Sequence, residues 1–295
     1  MEEIIFLSSK DYSESDHNYG DCIIIDTGNK SIIYDCGSEE HAKRVIQYLD
    51  DHGYDKATFI LSHNDADHFD GLNYLIEQNR IECVYTILLL KYVDEIYELL
   101  DDKRHTRESL KRQIEEILDN IYSLSGKVKL KDVFEDTDVC NDVNIVGPDK
   151  DYALEAIAKR IDNSEGDTID KETIVNAVST QVSVAVNGGH LLLTGDSSVE
   201  AIEDKLPDYN QIQLPHHGKA ESAEEIFGIM DDSKLGTTGV TYYVSDNTGS
   251  SNGGSDKLKE KGHHVYNTKK SGNIDVVKGT LKNFGKPYGC YGVKK

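Results

Sequence analysis

The chain has 295 residues, 37% of them hydrophobic, with 54 acidic against 32 basic side chains and a formal net charge of −22. That length is ample for a full core, as one large α/β domain or two small ones, and no apolar run approaches the ~20 residues of a membrane-spanning helix. An acidic body repels polyanions, which argues against extensive non-specific binding to duplex nucleic acid.

The opening Met1-Glu2-Glu3 is acidic and its apolar run stops after Leu7, which predicts no secretory signal. Cys22, Cys36, Cys83, Cys140 and Cys290 are odd in number, scattered and never paired as C-x-x-C. That usage predicts reduced thiols and a cytoplasmic protein. Strands are predicted over 4–7, 22–25 and 31–34, the last two joined by the turn Thr27-Gly28-Asn29-Lys30. A helix follows over 39–51, with Ala42, Val45, Ile46 and Leu49 at helical spacing.

Strand 57–61 then delivers Ser62-His63-Asn64-Asp65-Ala66-Asp67-His68, ahead of a helix over 71–78 and a strand over 83–90. An Asp-rich loop before a helix can be a simple N-cap near Asp70, but capping needs one carboxylate and gives no reason for His63 and His68. Imidazole and carboxylate donors suit zinc, manganese or iron(II) better than calcium. Residues 92–124 read as two amphipathic helices broken around 101–106, the pattern of a lid or a contact surface, and one that offers a homodimer interface.

Further strands are predicted near 127–130 and 143–146, then a helix over 152–161. The acidic run 162–167 looks calcium-like, yet its glycine falls one place early for an EF-hand loop, so it reads as a solvated loop. Strands 181–186 and 190–193 lead to Thr194-Gly195-Asp196, and strand 212–214 to Pro215-His216-His217-Gly218. Alternating strands and helices predict a layered α/β fold. Three polar stations, each directly after an apolar strand, predict one shared metal cleft. Residues 255–295 carry ten lysines against Asp256, Glu260 and Asp275, a local balance of 10 − 3 = +7 that could receive one phosphate or a short strand.

Taken together these stations resemble the metallo-β-lactamase fold, within it the branch typified by the C-terminal domain of the DNA-uptake protein ComEC. The loop at 62–68, Leu192-Leu193-Thr194-Gly195-Asp196 and Pro215-His216-His217-Gly218 carry the resemblance. Gly20-Asp21, Ile33-Tyr34-Asp35-Cys36-Gly37 and the segment from Tyr266 to Ile274 add to it. The resemblance implies a single domain over 1–295, an αββα sandwich with 92–124 as a helical insertion and the cleft at one edge of its sheets.

It implies two divalent ions, zinc or manganese. Asp67, His68 and His217 would hold one, His63 and Asp65 the other, and Asp196 would bridge them. Which histidine of the 216/217 pair is the ligand stays open at this point. Asp35, Ser179 and Thr180 would stand behind the ligands, Asp67 and His216 would act in catalysis, and Lys219, Asn252 and Thr268 would meet the substrate.

Three features depart from the family pattern, one being Ser251-Asn252-Gly253-Gly254 where the branch has a late G-H-P segment. No histidine precedes the Leu192-Leu193 strand, where the chain reads Asn176-Ala177-Val178-Ser179-Thr180, so one ion has a neutral ligand fewer and manganese gains ground. Lys219 also replaces a serine. A water bridging two divalent ions loses its proton near neutral pH, which suits attack on phosphorus. The expected protein is thus a phosphodiesterase or nuclease taking a phosphoester, a short nucleic acid or a nucleotide. An acyl-bond (lactone or thioester) hydrolase and a non-catalytic metal-binding regulatory module are the other readings.

Overall fold

β-Branched residues build the first strands. Ile4 and Ile5 in Glu3–Phe6, Ile23, Ile24 and Ile25 in Cys22–Asp26, and Ile32 and Ile33 in Ser31–Cys36 are all fully buried. Continuous apolar runs of this kind belong to strands covered on both faces. In the computed structural model, which describes residues 1–14, 16–162, 168–169, 171–236, 239–249 and 254–277, they sit in one of two seven-stranded sheets.

The first sheet runs Ile274–Asp275, Glu3–Phe6, Cys22–Asp26, Ser31–Cys36, Ala57–Ile60, Ile81–Thr86, Lys129–Asp132. It is antiparallel up to Ser31–Cys36 and parallel beyond. The second runs His264–Asn267, Thr241–Val244, Gln211–Gln213, Gly189–Leu193, Gln181–Val186, Val143–Gly147, Asp138–Cys140. Its first four strands are parallel and the rest antiparallel. Two large sheets flanked by helices make the αββα sandwich of the metallo-β-lactamase fold.

Period-two alternation sorts the second sheet's side chains between two cores. Leu191 and Leu193 join the large cluster with the first sheet, whereas Leu192, Ile212, Tyr242 and Val244 face away. Helix Ala220–Asp231 covers those through Ala223, Ile226, Phe227 and Met230. Phe6 stacks on Tyr243 at 5.4 Å, and the Tyr34 hydroxyl donates to the Thr180 carbonyl at 2.7 Å, so the sheets are joined by rings and by a hydrogen bond.

Helix Glu39–His52 is capped by Ser38, which accepts from His41 N, and ended by Gly53 at φ 74. Within it His41 is fully buried, with the Tyr12 hydroxyl 2.8 Å from Nδ1 and the Gly20 carbonyl 3.2 Å from Nε2. A carbonyl only accepts, so Nε2 carries the hydrogen and Nδ1 accepts from Tyr12. Burial pushes the His41 pKa down to about 3, below the ~6.5 of an unfolded histidine. As pH falls the unfolded chain takes up this proton first, so the stability from neutral His41 is whole above pH ~6.5 and is lost toward pH 3. The stability gap between wild type and His41→Gln, read by urea unfolding, is therefore expected to narrow steadily from pH 7 to pH 4; a constant gap would contradict it.

Several elements differ from the sequence expectation. The second helix runs Ala66–Glu77, not from 71, and Asp65 stands at its N-cap position without a capping hydrogen bond. The N-cap alternative for this Asp-rich loop therefore finds no capping hydrogen bond at Asp65. Polar Asp67 and Asp70 hid the start, because only His68, Phe69, Gly71, Leu72 and Leu75 are buried in this helix. Strand Ile81–Thr86 stops short of 90 and the chain turns through a 3₁₀ segment, Leu89–Tyr92, since an apolar run alone does not separate strand from helix.

The predicted helical insertion consists of Val93–Leu99, Arg107–Ile117 and Asp119–Tyr122. It lies on the crossover between the parallel strands Ile81–Thr86 and Lys129–Asp132. Its apolar stripes, Val93, Ile96, Leu110, Ile114, Leu118 and Ile121, belong to the protein's own main core. That packing replaces the expectation of a lid with a fixed wall. Of the acidic run, Asp162 accepts from the Asp101 and Asp102 amides, while 163–167 lie outside the described residues, as do Asn252, Cys290 and the lysines from 278 onward. Among the described residues no helix is long and apolar enough to cross a membrane.

Candidate metal centre

Parallel neighbours deliver their following loops to one edge of a sheet. Here Ala57–Ile60 leads into His63 to His68, Gly189–Leu193 into Asp196, Gln211–Gln213 into His216 and His217, and Thr241–Val244 into Ser245 to Asn247. The three stations predicted from sequence meet there.

Each of three buried imidazoles is held by its Nδ1. His68 Nδ1 lies 2.8 Å from Asp35 Oδ2, whose Oδ1 accepts from Ser62 N at 2.7 Å. His217 Nδ1 lies 2.9 Å from Asp21 Oδ1 and 3.2 Å from the Ser245 carbonyl. His63 Nδ1 has two hydroxyls, Ser62 Oγ at 2.9 Å and Ser179 Oγ at 3.2 Å. A carboxylate on Nδ1–H leaves the lone pair on Nε2, which is how a protein prepares a histidine ligand.

The Nε2 atoms face carboxylates across one small space. His68 Nε2 is 3.4 Å from Asp196 Oδ1, and His63 Nε2 is 4.0 Å from Asp196 Oδ2 and 3.6 Å from Asp65 Oδ2. His217 Nε2 is 3.0 Å from Asp67 Oδ2, which also accepts from Asn18 Nδ2 at 2.9 Å. Asp196 thus turns one oxygen toward each histidine of the 63–68 loop.

A cation-binding role can be tested on the unmet polar atoms. His63 Nε2, His68 Nε2 and Asp196 Oδ1 are buried without any hydrogen-bond partner, a costly state that a bound cation would remove. Ligand atoms of His63, His68 and Asp196 lie within 4.8 Å of one another. So do atoms of Asp21, His68 and His217, but Asp21 is already engaged by His217 Nδ1 and by Gln213 Nε2 at 3.1 Å. We therefore assign Asp21 to holding His217. The donor set fits divalent ions of the zinc or manganese type.

Electrostatics point the same way. Burial would raise the Asp196 carboxyl, but His68 and His217 hold it well below the usual range. Burial also raises Asp67, and the hydrogen bond from His217 with the charge of His68 outweighs it. Conversely burial would lower His68 and His217; Asp196 with Asp35, and Asp21 with Asp196, instead lift both well above an ordinary histidine. The carboxylates demand positive charge, and without a metal they draw it from protons.

The six predicted ligands, His63, Asp65, Asp67, His68, Asp196 and His217, converge. Within the pair, His217 Nε2 faces the cleft carboxylate of Asp67 at 3.0 Å, while His216 Nδ1 is held by Glu172 Oε2 at 2.6 Å. Both take φ 53, a left-handed conformation that parts the two rings. Asp35 contacts His68 Nδ1 and Ser179 Oγ contacts His63 Nδ1, Ser179 Oγ also accepting from Asp196 N at 3.2 Å. Thr180 acts through its backbone, its N–H donating to the Ser62 carbonyl at 2.8 Å.

Lys219 Nζ meets Glu172 Oε1 at 2.7 Å and the Lys171 carbonyl at 3.2 Å. Thr268 corrects its expected substrate contact. It is fully buried, accepts from Asp246 N at 2.9 Å and donates to the Asp246 carbonyl at 3.1 Å, fixing the segment whose Ser245 touches His217.

Sequence reasoning gave no role to Asp21, Asn18, Asn176 or Glu172. Asp21 carries a signal after the fact, because Gly20 has φ +67 and a Cβ there would stand 1.7 Å from the Asp67 carbonyl oxygen. Only glycine permits that approach, and it brings Asp21 N to the same oxygen at 2.9 Å. Asn176 Nδ2 is 3.4 Å from Asp196 Oδ2. Glu172 lies in the short hairpin Thr168–Ile169 and Glu172–Thr173, which carries no sequence signature.

An open cleft of ≈ 570 Å³ beside Asp67 is bordered by His17, Asn18, Ser38, Glu39, Glu40 and Asp70. The apolar cavity behind His63 measures ≈ 20 Å³, about one water's worth.

Residues 16–120, about a third of the chain, match the family model described as the Metallo-beta-lactamase superfamily. No curated protein matches the chain. Among solved structures, Igni18, a metallo hydrolase from the hyperthermophilic archaeon Ignicoccus hospitalis, is similar over 92% of this chain and 98% of its own, at 11% identity and TM-score 0.45. The metallo-beta-lactamase fold protein YhfI from Bacillus subtilis is similar over 72% of this chain and 70% of its own, at 12% identity and TM-score 0.40. Human tRNase Z, short form, is similar over 76% of this chain and 82% of its own, at 12% identity and TM-score 0.35.

Proposed function

We propose that the protein is a metal-dependent hydrolase that cleaves small phosphodiesters. The observation that carries this reading is Asp196, whose two oxygens face His63 and His68 separately. Such a carboxylate can serve two ions at once. Asp67, His68 and His217 would hold one divalent cation and His63 with Asp65 the other, zinc or manganese in each case. When bound, the pair supplies Lewis acidity and a water of lowered pKa beside the attacked phosphorus.

The remaining roles fall to the chain's own groups. Glu172 is a buried carboxylate that orients His216 by its Nδ1 and Lys219 by its Nζ, leaving His216 Nε2 to pass a proton to the departing oxygen. Burial would lower the His216 pKa, but the Glu172 bond and Asp196 raise it. Lys219, beside it, offers positive charge to a non-bridging phosphate oxygen. The cleft beside Asp67 carries Glu39, Glu40 and Asp70, and with a net charge of −22 the protein repels a long polyanion. A nucleotide or a short oligonucleotide fits that balance better than duplex nucleic acid.

Metal-loaded protein assayed on bis-p-nitrophenyl phosphate, a homoserine lactone and a thioester tests the reading. The diester is expected to show a kcat/KM higher by about 100-fold or more, as chemically distinct substrates do at one site. Preference for the lactone or thioester would overturn the phosphodiester assignment.

A further inference from the structure

Asn64 stands between two proposed ligands, His63 and Asp65, and its amide turns away from both. Its Nδ2 donates to the Ile117 carbonyl at 2.9 Å and to Asn120 Oδ1 at 3.0 Å, and Asn120 Nδ2 donates back to the Asn64 carbonyl at 2.8 Å. Two asparagines 56 residues apart thus close a reciprocal pair. Ile117 ends helix Arg107–Ile117, where carbonyls lack an intrahelical partner, and Asn120 opens the next turn, with Oδ1 also accepting from Ile121 N at 2.9 Å.

The helices behind this pair cannot drift. Leu110, Ile114, Leu118 and Ile121 are packed in the main core, and Leu118 and Ile121 line a small cavity of ≈ 20 Å³ together with His63 and Asn64. The loop needs such a support more than the other stations do. His68 and His217 are each held by a buried carboxylate, whereas His63 has only two hydroxyls, and the Asp65 side chain is 47% exposed with no capping bond. Between these two residues the chain is tied to the helices by the bond from Asn120 Nδ2 to the Asn64 carbonyl.

We propose that Asn120 is a positioning residue for His63 and Asp65, and that the helices over 107–122 serve as the fixed wall against which this half of the metal centre is set. The inference rests on the metal-centre reading, but it also makes a claim about the metal-free protein. The test compares wild type, Asn120→Ala and Asn64→Ala.

In metal-stripped Asn120→Ala, backbone amides of 63–65 are expected to exchange with solvent about 10-fold faster or more, while those of the sheet strands keep their wild-type rates. On titration with zinc, followed by histidine ring resonances, the ion reporting on His63 should weaken about 10–100-fold and the ion reporting on His217 should not move. Adding Asn64→Ala should cost less than Asn64→Ala costs alone, because the bonds to Asn120 are already broken and just the one to the Ile117 carbonyl remains to be lost. Unchanged exchange at 63–65 overturns the inference whatever the metal content, and so does a uniform rise across the strands, which would mark a general structural role. If wild type binds no zinc while the 63–65 amides still loosen selectively, the positioning role holds and the metal-centre reading fails.

Discussion

Asp196→Ala is expected to leave a folded protein that has lost hydrolysis by about 10³-fold or more, the scale seen when the electrostatic core of an active site is removed. The fold should survive because Asp196 tightens no apolar packing. Its carboxylate shares the site with the like charge of Asp67 and is balanced by His68, His217 and His63. Removing it strips both sets of ligands of their shared member. His68 and His63 would then keep Nε2 atoms with no carboxylate within reach on that side. Elemental analysis should show the loss of bound metal, and unfolding of the metal-stripped variant should match metal-stripped wild type. Retained turnover at the wild-type rate would remove Asp196, and the dinuclear reading with it, from the mechanism.

The second large effect is expected from a residue that touches no metal. Asp35 has φ 58, a left-handed conformation that asparagine tolerates, so Asp35→Asn spares the backbone while changing what the side chain can do. The native carboxylate accepts twice, from Ser62 N and from His68 Nδ1. An amide has one accepting oxygen and an NH₂, so one of the two donors loses its partner. If the NH₂ faces His68, the ring must accept at Nδ1 and carry its hydrogen on Nε2, the wrong tautomer for a ligand. If the NH₂ faces Ser62, two N–H donors confront each other at the start of the metal loop. Either way metal affinity at the His68 position should fall about 10–100-fold, with turnover falling alongside it and circular dichroism unchanged. Affinity equal to wild type by calorimetry would show that Asp35 only fills space.

These expectations draw on residues of unequal visibility in the sequence. His63, Asp65, Asp67, His68, Asp196 and His217 stood out because polar side chains follow apolar strand runs without a break, a pattern that solvation alone does not demand. A layered α/β fold followed from alternating strands and helices, whereas the two-sheet sandwich came from the family resemblance alone. What stayed hidden is what depends on distant pairing. Asp21 reaches His217 across 196 residues and Asn64 reaches Asn120 across 56, and neither pair has a local spacing. Glu172 sits on a hairpin too short for periodicity to register. The stripes at 93–121 were legible as helices, but a hydrophobic stripe does not say whether it meets its own core or a partner; here it meets its own. Thr268 resembled a substrate contact by position in a motif, whereas its full burial makes it a brace for the loop behind His217.

The central claim is that a pair of divalent ions held at Asp196 enables phosphodiester cleavage. Its most direct test is to strip the protein with a chelator, titrate zinc or manganese back, and follow bis-p-nitrophenyl phosphate hydrolysis together with bound metal. The account predicts no turnover in the stripped protein and recovery that is complete only at two ions per chain. Full turnover without metal, or two bound ions with no cleavage of any phosphodiester, would contradict it.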